Sequence, residues 1–323
     1  MIATAVGGDI GQGRVEITPN GTPIYFQHDP RQYRVGPNIG SLDQLEAMEL
    51  LASVPDSPQA WEQVPSATEV LDVLFKPLQW WGMTIGVEGI QTLMSLNLVR
   101  EVVVGQRPTL AIMGQNEPSP ASTPELVELL SKQQLTVNHV RDRAGDRGQA
   151  VHDALQGWAE TGRLPDPTIY AATEAGYVRG LVKFLRDLPS AEPVAWEVMV
   201  ASSEHKYAGR YDLRVRTTKP HDVVVRCGLK RGPILKRLQP GELLTDLKSS
   251  KGIYDTHPRQ LEAYEQASKE SGWEPTRARG IIHVTEDGEY EFVRSWATFN
   301  DFLAVLYVWR SNQAMKRHKK ELA

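Results

Sequence analysis

Apolar residues recur at spacings of three and four over residues 42–54, 67–75 and 86–98. That spacing lines one face of a helix, so the chain up to about residue 110 is predicted to be mainly helical. Residues 1–40 differ, alternating short polar and apolar stretches around Asn20-Gly21 and several prolines, a pattern for a hairpin and an extended lead-in. The proline- and serine-rich tract at 118–124 reads as a loop, and helical spacing resumes at 124–140, 147–160 and 173–188. Beyond Pro193 the period falls to two. Residues 194–202, 206–216 and 242–249 alternate or are rich in β-branched side chains, as half-buried strands require. Helical spacing returns at 258–271, a hairpin is predicted for 279–295 around Glu286-Asp287-Gly288, and an amphipathic helix runs from Asn300 into a basic tail. The pattern implies an N-terminal hairpin and helical region at 1–140 and an α/β domain at 141–323, with no internal repeat.

Composition narrows the class without naming a function. The 323 residues, 41% hydrophobic and 24% charged, are those of an ordinary globular chain. A single cysteine, Cys227, excludes an internal disulfide, a cysteine-built zinc site and a cysteine-ligated iron–sulfur cluster, and it fits a reducing cytoplasm. The first ten residues lack a basic segment followed by an apolar run, and no stretch of about 18 uninterrupted apolar residues occurs, so neither secretion nor membrane insertion is expected. The net charge of −4 argues against a globally basic coat for nucleic acid, but leaves room for an acidic metal site with local basic patches.

Chemistry concentrates in the strand-like region. Asp246 and Lys248 lie two apart on a predicted strand, so both side chains leave the same face about 7 Å apart. An acid and an ammonium so placed can hold a divalent cation and stabilise an attacking hydroxide or a phosphate oxygen; a surface cross-strand pair has the same pattern. Two earlier strands carry Glu197 and Asp212. If Glu204-His205 centres a hairpin, residues whose numbers sum to 409 are paired, and Glu197 and Asp212 are such a pair. Opposed like charges repel, which favours a cation between them unless the register is slipped. On the following predicted helix Gln260 and Tyr264 lie four apart on one face, suited to phosphate oxygens or to a surface amide beside a buried phenol. His152 sits inside a predicted helix, where a neutral imidazole can complete a metal shell, although a lone histidine is more often structural.

In order, these elements are a Gly148-x-x-x-His152 helix, a Glu197 strand, a Gly209-x-x-Asp212 strand, an Asp246-x-Lys248 strand and a Gln260-x-x-x-Tyr264 helix. The series resembles the RecB-like branch of the PD-(D/E)XK nucleases over roughly residues 144–296, and softer likenesses at 65–71 and 143–148 point to phage-type exonucleases. The resemblance implies a restriction-endonuclease-like core, a central mixed sheet flanked by helices. It implies metal ligation by His152, Glu197, Asp212, Asp246 and the Leu247 carbonyl, and catalytic parts for Glu197, Asp212, Asp246, Lys248, Gln260 and Tyr264. Mg²⁺ or Mn²⁺ is the expected ion, since oxygen-rich ligands suit both and His152 favours Mn²⁺. The implied substrate is DNA with a free end, in recombination, repair or phage replication inside a bacterial or phage-infected cell. Recombination or replication proteins are the implied partners, and an oligomer is left open. Relatives with an iron–sulfur cluster use four cysteines that this chain lacks.

Between the second and third strands, residues 217–241 carry Lys219, Arg226, Lys230, Arg231, Lys236 and Arg237 against one acid, Asp222. Such a segment grips a DNA backbone through phosphate contacts or forms a solvated loop. Two other functional classes share the carboxylates: a metal-dependent hydrolase of another phosphoester, and a non-catalytic DNA-end-binding or assembly protein.

Overall fold

The computed structural model describes residues 6–10, 13–29, 31–39, 61–74, 78–104, 107–113, 118–226 and 232–321. The helix expected at 42–54 lies outside them. By packing, the chain divides into two compact units, Met1–Leu74 with Ala150–Ala323, and Phe75–Gln149. The division does not follow a single cut near residue 140, because the first strands belong with the C-terminal half.

The larger unit is α/β. Its main sheet has seven strands: β9 (Ala191–Ser202), β10 (Tyr207–Thr217), β11 (His221–Arg226), β12 (Ile234–Leu238), β13 (Gly241–Lys248), β14 (Ala278–Val284) and β15 (Tyr290–Arg294), in the order β12-β11-β15-β14-β13-β10-β9. The sheet is mixed. The β13–β14 and β11–β15 pairs are parallel and the others antiparallel. Residues 217–241 therefore extend the sheet with β11 and β12 instead of forming one long loop.

Helices cover both faces. On one, α4 (Val137–Thr161) contributes Val151, Leu155 and Trp158, and α5 (Ala172–Asp187) contributes Val178, Leu181 and Phe184, to a core shared with Leu213, Leu247, Ile282 and Phe292. On the other, α1 (Ala67–Leu71), α6 (Thr256–Glu270) and α7 (Phe299–Glu321) pack Val70, Leu261 and Phe302 over Val198, Tyr211 and Leu244. Gly176 and Gly180 let α5 approach the β14–β15 turn: a Cβ on them would stand 1.8 Å from the Glu286 carbonyl oxygen and 2.4 Å from that of Glu289.

A second, antiparallel sheet runs β1 (Val6–Ile10), β2 (Gly13–Ile17), β3 (Pro23–Gln27), β4 (Gln32–Val35) and β5 (Glu62–Val64), with the expected hairpin at Asn20-Gly21. Ile24, Tyr33 and Val64 pack on Met199, Ala201 and Ala208. This covers the outer edge of β9, whose Met199 N–H donates to Glu16 and whose Ala201 N–H and carbonyl are both met by the Ser271 hydroxyl. Met199 and Ala201 thus have partners on the side of β9 that no strand of the main sheet covers.

The smaller unit holds α2 (Leu78–Ser95), a three-stranded sheet of β6 (Val99–Val104), β7 (Arg107–Ile112) and β8 (Ser119–Pro120), α3 (Thr123–Lys132) and the start of α4. A mainly helical N-terminal region is thus not what the described residues of 1–140 form: eight strands accompany three helices and the start of a fourth. The strands are short, and in Val99-Arg100-Glu101-Val102-Val103-Val104 the β-branched content outweighs any helical spacing. Among the described residues no helix is long and apolar enough to cross a membrane.

Candidate metal centre

Strand register places three acids abreast. In the β9–β10 hairpin Val198 pairs with Tyr211 and Trp196 with Leu213, so Glu197 and Asp212 stand opposite one another in the register expected from the turn. On the other side of β10, Leu213 pairs with Thr245 and the ladder ends there. One step further along the same register Asp212 would meet Asp246. The strands part where two carboxylates would have been forced together, and the Leu247 N–H donates to Asp212 Oδ2 at 2.6 Å instead.

The same place carries a backbone irregularity. Glu197 has φ of 50°, a left-handed conformation that costs a residue with a Cβ. Side-chain alternation breaks with it. Tyr207 and Tyr211 face the core under α6 and α7, yet Leu213 and Val215 face the core under α4 and α5, although all four numbers are odd and an unbroken strand would send them one way. In β9, Trp196 and Val198 part in the same manner. The acids at the break are therefore committed to neither core.

His152 joins them from α4, with Nδ1 3.7 Å from Glu197 Oε1 and 3.6 Å from Asp212 Oδ1. One ligand atom from each of His152, Glu197 and Asp212 lies within 4.8 Å of the others, so an imidazole nitrogen and two carboxylate oxygens converge as a small divalent cation needs. The Asp212 carboxylate raises the His152 pKa to about 9; burial opposes this and Glu197 adds to it. The cluster thus answers its own negative charge with a proton on His152. Asp246 stands outside this group, its Oδ2 2.5 Å from Lys248 Nζ. Burial, assisted by Asp212, pushes the Asp246 carboxyl up against the pull of Lys248. Burial alone would depress the Lys248 ammonium, but Asp246, Asp212 and Glu197 together hold it above the usual amine range. The Lys248 side chain keeps 23% of its surface open.

Gln260 and Tyr264 meet on α6 as the spacing implies. The Gln260 amide donates to Tyr264 Oη at 2.7 Å and to Thr68 Oγ1 at 2.8 Å. Gly209 makes room for the ring, since a Cβ there would lie 2.3 Å from Tyr264 Cε1. Burial drives the Tyr264 hydroxyl far above its usual pKa, so it stays a neutral hydrogen-bonding group.

Three contributors escaped the sequence reading. Arg210 Nε holds Glu197 Oε2 at 2.9 Å, and Thr68 anchors Gln260 from α1. Glu16 accepts from Met199 N–H at 2.8 Å while paired to Arg14 at 2.7 Å, and burial raises its pKa. Arg210 lies between the Gly209 and Asp212 of the Gly-x-x-Asp motif and Thr68 within the 65–71 likeness, neither of which names these contacts; nothing local marks Glu16. Of the basic residues at 217–241, Arg226 pairs with Glu291 and Arg237 with Asp222, while Lys230 and Arg231 lie outside the described residues. A second group, Glu204, His205 and Glu270, also comes together, but Glu270 already accepts from the Ser202 hydroxyl, the Glu204 N–H and the Gln266 amide and serves to fix the hairpin turn.

Comparison with models of protein families and with curated protein sequences finds no match to this chain.

Proposed function

We propose that the chain is a divalent-metal-dependent deoxyribonuclease of the RecB-like PD-(D/E)XK kind, acting on DNA ends. The observation that carries the reading is the row Glu197, Asp212 and Asp246 on three adjacent strands, with His152 on one side and Lys248 on the other. The mixed sheet with helices on both faces is the setting that a restriction-endonuclease-like core would provide.

His152, Glu197 and Asp212 would hold Mg²⁺ or Mn²⁺, and Asp246 and the Leu247 carbonyl complete the proposed ligand set. When bound, the ion supplies Lewis acidity and charge neutralisation at the scissile phosphate. The protein's own groups do the rest. Asp212 keeps Oδ1 toward His152 because Oδ2 is tied to Leu247 N–H, and Arg210 orients Glu197. Lys248, charged at neutral pH, orients the attacking water and offsets charge developing on the phosphoryl oxygens. Gln260, fixed by Thr68 and Tyr264, holds α6 against the site. DNA with a free end is the proposed substrate, and proteins of recombination, repair or phage replication are the proposed partners.

The test is hydrolysis of end-labelled linear and closed circular DNA, single- and double-stranded, with Mg²⁺, Mn²⁺ or EDTA. Metal-dependent loss of linear DNA that fails in Asp246→Ala and Lys248→Ala is expected. Binding to DNA ends without hydrolysis would replace this reading with an assembly role, and hydrolysis of small phosphoesters alone would replace the substrate.

A further inference from the structure

The segment that leaves the Lys248 strand ends in an aromatic ring turned to solvent. Tyr254 is 54% exposed, yet its backbone is tied on both sides. Upstream, the Ser250 carbonyl is met by His283 Nε2 at 2.9 Å, and His283 Nδ1 is backed by Glu291 at 3.0 Å; His283 is the register partner of Lys248 itself. The Ser250 hydroxyl closes a small turn on the Gly252 carbonyl at 2.7 Å. Downstream, the Tyr254 carbonyl accepts from His257 N–H at 3.0 Å, and the Asp255 carbonyl from Arg259 at 2.7 Å. The Tyr254 ring meets the His257 imidazole edge to face, centroids 5.4 Å apart at 77°.

His257 places that ring by the α6 face that carries Gln260 and Tyr264. It precedes Gln260 by three residues and Tyr264 by seven on α6, so all three share one helix face, and His257 is within electrostatic reach of the Asp246 carboxylate. Packing does not explain the half-exposed Tyr254 ring: no apolar core among the described residues includes it. A planar aromatic face near a phosphate-handling centre has a natural ligand in the face of a nucleobase, and the hydrogen-bonded backbone on either side of Tyr254 lowers the ordering cost of stacking there.

We propose that Tyr254 is a base-stacking subsite that receives one unpaired nucleotide of the DNA strand next to the Asp246–Lys248 pair. The proposal rests on the nuclease reading and names its substrate as a strand whose terminal base is free of its duplex, because a base stacked and paired within a duplex has no face to offer. Selection would be for strand state, with little regard to base identity.

Binding is measured without turnover, in Ca²⁺ and in EDTA, by anisotropy of a fluorescein-labelled single-stranded oligodeoxynucleotide and of versions with an abasic site at successive positions. Tyr254→Ala is expected to weaken binding about ten-fold, within the range for one stacked base, and Tyr254→Trp to retain it. One abasic position should cost the wild type about as much and leave Tyr254→Ala indifferent. Equal affinity of wild type and Tyr254→Ala, both folded by circular dichroism, would overturn the subsite, as would abasic sensitivity that persists in the variant. The two readings fail separately. The abasic pattern without metal-dependent hydrolysis keeps the subsite and removes the nuclease; hydrolysis with an unaffected Tyr254→Ala removes only the subsite.

Discussion

Asp212 Oδ2 accepts the Leu247 N–H at 2.6 Å, and this single contact lets β10 and β13 separate at the site while staying joined. The ladder between them stops at Leu213 and Thr245, so Leu247 would otherwise bury an unpaired donor. The same bond turns Oδ1 toward His152, 3.6 Å away. The structural part of this carboxylate and its proposed ligand-binding part can therefore be separated. Asp212→Asn retains an oxygen for Leu247 N–H but removes the charge; Asp212→Ala removes both. Urea denaturation should place the alanine variant about 1–3 kcal/mol below the asparagine variant, while calorimetric titration with Mn²⁺ shows both deficient in binding. Equal stabilities would mean that the bond is incidental.

On the proposed function, Lys248 serves the chemistry without holding the ion. Its ammonium is 2.5 Å from Asp246 Oδ2 and outside the His152, Glu197 and Asp212 group. Lys248→Ala is expected to lower single-turnover cleavage of linear DNA by about 10²–10³-fold, as for loss of one charge-stabilising donor, with Mn²⁺ affinity nearly retained. Asp246→Ala added to it should cost far less than its separate effect, because the two act as a unit. Undiminished cleavage by Lys248→Ala would remove lysine from the mechanism.

Gly209 is a steric requirement of the Tyr264 position. A Cβ would enter the ring at 2.3 Å from Cε1, and neither β10 nor α6 can retreat, since Tyr207 and Leu261 are fully buried beside them. Gly209→Ala should cost about 1–3 kcal/mol of stability and break the Gln260–Tyr264 bond. The double variant Gly209→Ala with Tyr264→Ala should be destabilised by less than the sum of the two single variants, because the clash is gone, and should stay inactive. Stability unchanged in Gly209→Ala would show that the ring has room to move.

Much of the core was legible because its signals are local. The turn at Glu204-His205 fixes the register of Glu197 with Asp212, since hairpin pairing follows from the turn alone, and the observed ladder flanks the two residues in that register. The alignment of Asp212 with Asp246, one step past the end of the ladder, follows the same arithmetic about a different centre, but 23 residues between β10 and β13 hide it: the chain folds β11 and β12 onto the far edge before returning. The break in alternation at Glu197 left a trace, since Leu213 and Val215 share parity with Tyr207 and Tyr211 and yet face the opposite core. Read as one continuous strand, the segment conceals that. The five-stranded sheet was largely illegible. Its strands are only three to five residues long, and Glu16 reaches Met199 from a sequence distance no local pattern spans.

Arg214 and Glu242 form one acid-sensitive pair of the main sheet. Arg214 is 1% exposed; its Nε donates to Glu242 Oε2 at 2.6 Å, its guanidinium also meets the Glu274 carbonyl, and it lies 5.2 Å from the Trp273 ring. Burial pushes the Glu242 carboxyl up, but hydrogen bonds from Arg216 and Arg214 outweigh it and hold the pKa below the usual 4.5. The unfolded chain therefore binds the proton more readily than the folded one in the interval between the two values. The resulting stability is fully present above about pH 4.5 and is lost as pH falls through the folded value. Glu242→Gln removes this dependence and leaves Arg214 buried without its counter-charge, a change expected to cost about 3–5 kcal/mol at neutral pH. In urea titrations across the acid range, the gap between wild type and variant should be widest near neutrality and narrow below about pH 4.5. A gap that stays constant with pH would mean that the carboxylate of Glu242 contributes through shape and not through charge.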